Sequence, residues 1–172
     1  MVTEQALKML ETALEMEARG KRFYAEAVET CKNPFGRAVF QKLLDDEAIH
    51  TARIQNIWRA VRAGADWSSE VESLSKDQEG VDTFFRSLVA GTNERIQADS
   101  NDLKALEVGI EFETRAATFY EGALRESADG LVSRFLQRMV AEERGHASAL
   151  NELRQYLVDP DAWFARHENL DG

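Results

Sequence analysis

Two histidines each follow a glutamate by three positions, in Glu47-Ala48-Ile49-His50 and Glu143-Arg144-Gly145-His146. On a helix, residues i and i+3 share a face, so a carboxylate and an imidazole at this spacing can bind one metal centre. Two further glutamates, Glu17 and Glu113, belong to the same pattern. A shift of 96 positions lays Glu17 on Glu113, Tyr24 on Tyr120, Glu47 on Glu143 and His50 on His146 with no gap. The same shift superimposes Leu14-Glu15-Met16-Glu17-Ala18-Arg19 on Ile110-Glu111-Phe112-Glu113-Thr114-Arg115, and Leu43, Leu44, Ile54 and Ile57 on Met139, Val140, Leu150 and Leu153.

The elements that must carry these groups are helices. Long stretches of Ala, Leu, Glu, Lys and Arg are interrupted by only two prolines, Pro34 and Pro160, a composition that favours an all-α fold. Apolar spacing predicts helices over about 3–31, 35–63, 101–128 and 131–158. Asn33-Pro34, Gly64, Asp129-Gly130 and Asp159-Pro160 supply the breaks, because proline lacks an amide proton and glycine suits a helix C-terminus. Two tight turns flanking one long connection predict a four-helix bundle of two antiparallel hairpins joined by a crossover. The apolar patch at Val81, Phe84, Phe85, Leu88 and Val89 predicts a short extra helix within that crossover, and the chain is read as one domain over 1–172.

Helical phase then places the ionisable groups. Leu43, Glu47, His50, Ile54, Ile57 and Val61 follow one another at steps of three and four, as do Met139, Glu143, His146, Leu150, Leu153 and Leu157. Glu17 falls within Leu7, Leu10, Leu14, Tyr24 and Val28, and Glu113 within Leu103, Leu106, Ile110, Tyr120 and Leu124. All six groups therefore lie on the inward seam. Each hairpin turn sits about midway between its lone glutamate and its Glu/His pair, so at 1.5 Å per residue all six reach one level, roughly 22 Å from the turn.

Four carboxylates in an apolar seam repel one another and lose hydration, so they need a neutralising partner. Two divalent cations balance four carboxylates and two neutral imidazoles. The expected arrangement has Glu47 and Glu143 bridging, Glu17 and Glu113 terminal, and His50 and His146 one to each metal. Mixed oxygen and nitrogen donors suit iron or manganese, with zinc as a further occupant. Tyr24 and Tyr120 face the same interior as candidate hydrogen-bond donors to the carboxylates. Glu15 and Glu111 flank the seam and are expected to face solvent or a neighbouring helix, with Arg19 and Arg115 as candidate partners for such acids. His167 lies outside the repeat and is read as a surface residue.

The net charge of −10 argues against nucleic acid and anionic membranes as partners. A single cysteine, Cys31, excludes an internal disulfide framework and a cysteine metal knuckle. No run of about 18 apolar residues occurs, and the first residues hold no basic region followed by an apolar one. A soluble, cytoplasmic protein is expected.

Glu17 with Tyr24, Glu47-Ala48-Ile49-His50, Glu113 with Tyr120, and Glu143-Arg144-Gly145-His146 together resemble the rubrerythrin-like branch of the ferritin-like superfamily over about residues 3–158. The resemblance implies a ferritin-like bundle with two iron ions, reaction with hydrogen peroxide or dioxygen, and a homodimer. The sequence lacks the cysteines of a rubredoxin domain and none is expected, so the implied peroxidase or oxidase would draw electrons from a separate donor. Position 116 is Ala where typical rubrerythrins carry a further glutamate, and the four-Glu, two-His set is similar to the ferroxidase centre of bacterioferritin. Two functions follow: a redox enzyme, or a ferroxidase and iron-handling protein without dedicated turnover. The patch at Phe84, Phe85 and Leu88 and the tail pair Trp163-Phe164 could cover a dimer interface or pack on their own bundle.

Overall fold

A computed structural model describes residues 4–73, 80–91 and 98–167. The expected helix start at Thr3 and parts of the crossover, 74–79 and 92–97, lie outside the described residues. Among the described residues every regular element is helical: α1 (Glu4–Thr30), α2 (Pro34–Ala63), α3 (Ser68–Ser73), α4 (Val81–Ala90), α5 (Ser100–Glu126), α6 (Gly130–Val158) and α7 (Pro160–His167). The four long helices match the expected ones to within a few residues. α3 and α7 are additions to the sequence reading.

Local chemistry sets the hairpin turns. Asn33 Oδ1 accepts from the amides of Phe35 and Gly36, both at 3.0 Å, and Pro34 opens α2, where a missing amide proton costs nothing. Ninety-six residues later Asp129 Oδ1 caps α6 through the amides of Leu131 and Val132, at 2.8 and 3.0 Å. Gly64 ends α2 at φ 64°, the left-handed conformation that glycine adopts without a Cβ clash. Asp159-Pro160 closes α6 at Val158 as expected, and Pro160 also opens α7, whose Trp163 is buried.

α1 packs along α2 and α5 along α6, and the two hairpins close around two apolar cores. One joins Tyr24, Phe40 and Leu43 to Leu106, Leu150 and Leu153. The other joins Leu10, Ala13, Ile54 and Ile57 to Tyr120, Leu136 and Met139. Each core thus combines the C-terminal half of one hairpin's first helix with the N-terminal half of the other's, or the reverse. The hairpins therefore run in opposite senses, with their turns at opposite ends. Asp102, buried near the start of α5, confirms this by accepting from the amides of Lys32 and Asn33 in the α1–α2 turn, each at 3.0 Å. At the other end the repeat places Ala6 where a carboxylate would be needed, and a cavity of about 430 Å³ opens among Ala6, Met9, Ala128 and Leu136.

The crossover helix α4 lies against α6 and α2. Phe85 meets the rings of Tyr156 and Trp163 edge-on at 6.0 and 5.8 Å, and Phe164 packs on Tyr156. Of the patch and tail that could have covered a dimer interface, Phe85 and Trp163 are buried in their own bundle, and Leu88 and Phe164 are partly buried against it.

Candidate metal centre

Between the two cores lies a polar layer. Glu17 from α1, Glu47 and His50 from α2, Glu113 from α5, and Glu143 and His146 from α6 are each no more than 5% exposed. Helical phase turns them inward, and the opposed hairpins bring the two sets to one level. They form two overlapping groups whose ligand atoms lie within 4.8 Å of one another: Glu47, Glu113, Glu143 and His146, and Glu17, Glu47 and His50. Glu47 belongs to both. Glu143 also spans them, with Oε1 3.3 Å from His50 Nδ1 and Oε2 3.5 Å from His146 Nδ1.

Both imidazoles present Nδ1 to this layer and Nε2 away from it. His50 Nε2 lies 2.9 Å from Glu142 Oε2, and His146 Nε2 lies 3.4 Å from Asp46 Oδ2. An Nε2–H donated outward leaves an Nδ1 lone pair facing the carboxylates, the tautomer a metal ligand requires. The rings stack at 5.5 Å with 14° between their planes.

Asp46 and Glu142 were missed by the sequence reading. The signal was present, because the shift of 96 that pairs Glu47 with Glu143 also pairs Asp46 with Glu142 and Lys42 with Arg138. Lys42 reaches Asp46 at 2.5 Å, and Arg138 Nε reaches Glu142 at 2.8 Å.

The tyrosine hydroxyls cross between hairpins. Tyr24 on α1 donates to Glu113 on α5, and Tyr120 on α5 donates to Glu17 on α1. Each tyrosine is fully buried. Burial first, then the adjoining carboxylate, raises both phenol pKa values well above normal, so the hydroxyls remain donors. Glu15 and Glu111 are exposed beside Arg19 and Arg115, at 4.0 and 3.3 Å. His167 stacks on Trp163 at 3.9 Å, apart from the layer.

The electrostatics are those of a crowded anion site. Burial, followed by repulsion from Glu17, Glu113 and Glu143, raises the pKa of Glu47. Burial likewise pushes Glu113 up to about 8, reinforced by Glu143 and opposed by His146. For His50, burial lowers the pKa, but Glu143 and Glu142 outweigh it; for His146, Glu113 and Asp46 do the same, so both are raised. Glu143 moves down, because the two imidazoles overcome its burial. Glu142 is held at about 2: burial works against this, but His50, Arg53 and Arg138 prevail.

Buried polar atoms are normally hydrogen-bonded. Here both oxygens of Glu47, both of Glu143, Glu113 Oε2 and His146 Nδ1 have no hydrogen-bond partner among the described residues. Inward-facing oxygen and imidazole donors left unpaired in one layer are what a pair of cations would satisfy. The residues present therefore fit a binuclear metal group.

An all-helical bundle with a buried carboxylate and histidine cluster compatible with a di-iron site defines the ferritin-like di-iron carboxylate class. The family model described as Rubrerythrin matches residues 8–154, and the chain belongs to the rubrerythrin family. No curated protein and no solved structure matches it. Among the described residues no helix is long and apolar enough to cross a membrane.

Proposed function

We propose that this protein is a di-iron carboxylate redox protein that reduces hydrogen peroxide or dioxygen at a binuclear site. Glu47 and Glu143 would bridge two iron ions; Glu17 and Glu113 would be terminal ligands, and His50 and His146 would each bind one ion through Nδ1. The observation that carries this reading is the set of unpaired carboxylate oxygens and the unpaired imidazole nitrogen in one buried layer. Bound there, two ferrous ions would supply the two electrons that, with two protons, convert hydrogen peroxide to two waters. By donor type manganese suits the site as iron does, with zinc as a further, redox-inert occupant; the family favours iron.

The protein's own groups prepare the site. Tyr24 and Tyr120 hold the carboxylates of Glu113 and Glu17 by donated hydrogen bonds. Asp46 and Glu142 fix the imidazole tautomers. The apolar cores on either side exclude water, which strengthens every charge interaction in the layer. With Cys31 as their one cysteine, these 172 residues offer no rubredoxin-type iron site, and the site would take electrons from a separate donor, in the cytoplasm and as a homodimer.

Ala116 favours a second reading. It stands one turn after Glu113, where it is buried and offers no carboxylate, leaving the more symmetric set expected of a ferroxidase or iron-handling protein. The test is to load the metal-free protein anaerobically with two equivalents of Fe²⁺ and mix it with peroxide or dioxygen in a stopped-flow instrument. Oxidation much faster than that of free Fe²⁺, repeated when a reductant is supplied, supports the enzyme. One fast oxidation without repeat supports iron handling, and oxidation no faster than in buffer overturns both.

A further inference from the structure

The repeat makes the metal centre nearly two-fold, and position 53 breaks the match. Arg53 on α2 corresponds to Ala149 on α6, which is fully buried in the core. Arg53 Nη1 donates to Glu142 Oε2 at 2.8 Å, the same oxygen that faces His50 Nε2 at 2.9 Å. Arg138 Nε occupies the other oxygen of Glu142 at 2.8 Å. Asp46, the repeat partner of Glu142, has only Lys42 on Oδ1, leaving Oδ2 to His146. Among the described residues no guanidinium reaches Asp46.

Two consequences follow. A carboxylate shared between two guanidinium groups draws less on the imidazole N–H, so His50 is the poorer donor to a metal at its Nδ1. The Arg53 side chain is only 12% exposed, so its charge is weakly screened and raises the potential felt by a cation on the His50 side. Ligand assembly runs the same way: four residues converge around His146 and three around His50.

We propose that Arg53 makes the two metal positions unequal, so that the first divalent cation occupies the His146 and Glu113 position and the second enters the His50 and Glu17 position more weakly. The inference rests on reading the centre as a binuclear metal site. It makes Arg53 a positioning residue that acts through Glu142 and His50 and touches neither metal.

The test is a titration of the metal-free protein with Co²⁺, followed by calorimetry and visible absorption. Wild type is expected to bind two ions in steps separated by about tenfold or more. Arg53→Met should tighten the second step severalfold and leave the first unchanged. Arg53→Lys, which keeps the charge, should retain most of the gap, and circular dichroism establishes that each variant is folded. Crystals with one equivalent of Co²⁺ should show anomalous scattering beside His146. Two equal steps in wild type, first occupancy beside His50, or an unchanged gap in folded Arg53→Met overturns the inference while leaving the binuclear reading intact. Failure to bind two ions at all overturns both.

Discussion

Replacing Gly20 with alanine separates helix propensity from packing at the buried carboxylate layer. In a helix interior, Gly→Ala ordinarily stabilises by about 1 kcal/mol. At Gly20 the new Cβ would lie 2.8 Å from Phe112 Cε1 and 2.9 Å from Glu47 Oε2, well inside the ~3.5–4.0 Å of a comfortable carbon contact. Phe112 is half-buried and can turn, but the Glu47 carboxylate is hemmed in by Glu17, Glu113 and Glu143. Overpacking of this kind costs about 1–3 kcal/mol, so the net change is a loss of roughly 0–2 kcal/mol once the propensity gain of about 1 kcal/mol is subtracted.

Gly145→Ala is the matched control: it lies inside α6, is exposed, and has nothing within 4 Å of its Cβ. That variant should gain about 0.5–1 kcal/mol. Thermal unfolding of the metal-free proteins should place Gly145→Ala above wild type and Gly20→Ala at or below it. At about 2–4 °C per kcal/mol for a chain of this size, the two variants should differ by several degrees. Because Glu47 belongs to both ligand groups, Gly20→Ala should also weaken metal binding by about tenfold or more. Equal stabilisation by the two substitutions would refute the packing argument.

Tyr24→Phe and Tyr120→Phe each keep a buried ring and remove one hydrogen bond to a buried carboxylate. Each should cost about 1.5–3 kcal/mol in urea unfolding; a change below about 0.5 kcal/mol would show that the hydroxyls carry little of the layer's stability. The pH dependence of the metal-free protein follows from Glu113, whose pKa near 8 exceeds its unfolded value. Its contribution is complete below about pH 4.3 and is lost as pH rises through about 8, with Glu47, His50 and His146 raised in the same direction. Glu142 acts oppositely, contributing above about pH 4.3 and losing that contribution as pH falls toward about 2. Calorimetry should therefore find the metal-free protein most stable in mild acid, and Mn²⁺ should raise its melting temperature more at about pH 8 than at about pH 6. Stability climbing steadily to about pH 8 without metal would contradict this.

Much of the centre is legible in the sequence because helical periodicity is local. Spacings of three and four put Glu47 with His50 and Glu143 with His146 on inward faces, and the repeat duplicates the set. The turns at Asn33 and Asp129 are likewise local, since a side-chain oxygen caps amides two and three residues ahead. α7 was not legible, because the proline that stops α6 gives no sign of whether a new helix starts there, and that depends on the packing of Trp163 against Phe85 and Tyr156.

Partner choice within the layer was also beyond the sequence. Tyr24 follows Glu17 by seven residues on the same helix, yet its hydroxyl reaches Glu113 on the other hairpin. Asp46 adjoins Glu47 but faces His146. Spacing along one helix determines which face a group occupies, whereas the opposed packing of two hairpins decides which group it meets. The sequence by itself therefore determined the six inward carboxylate and imidazole groups, while the tertiary structure alone decided the cross-hairpin bonds, the close approach at Gly20 and the asymmetry introduced by Arg53.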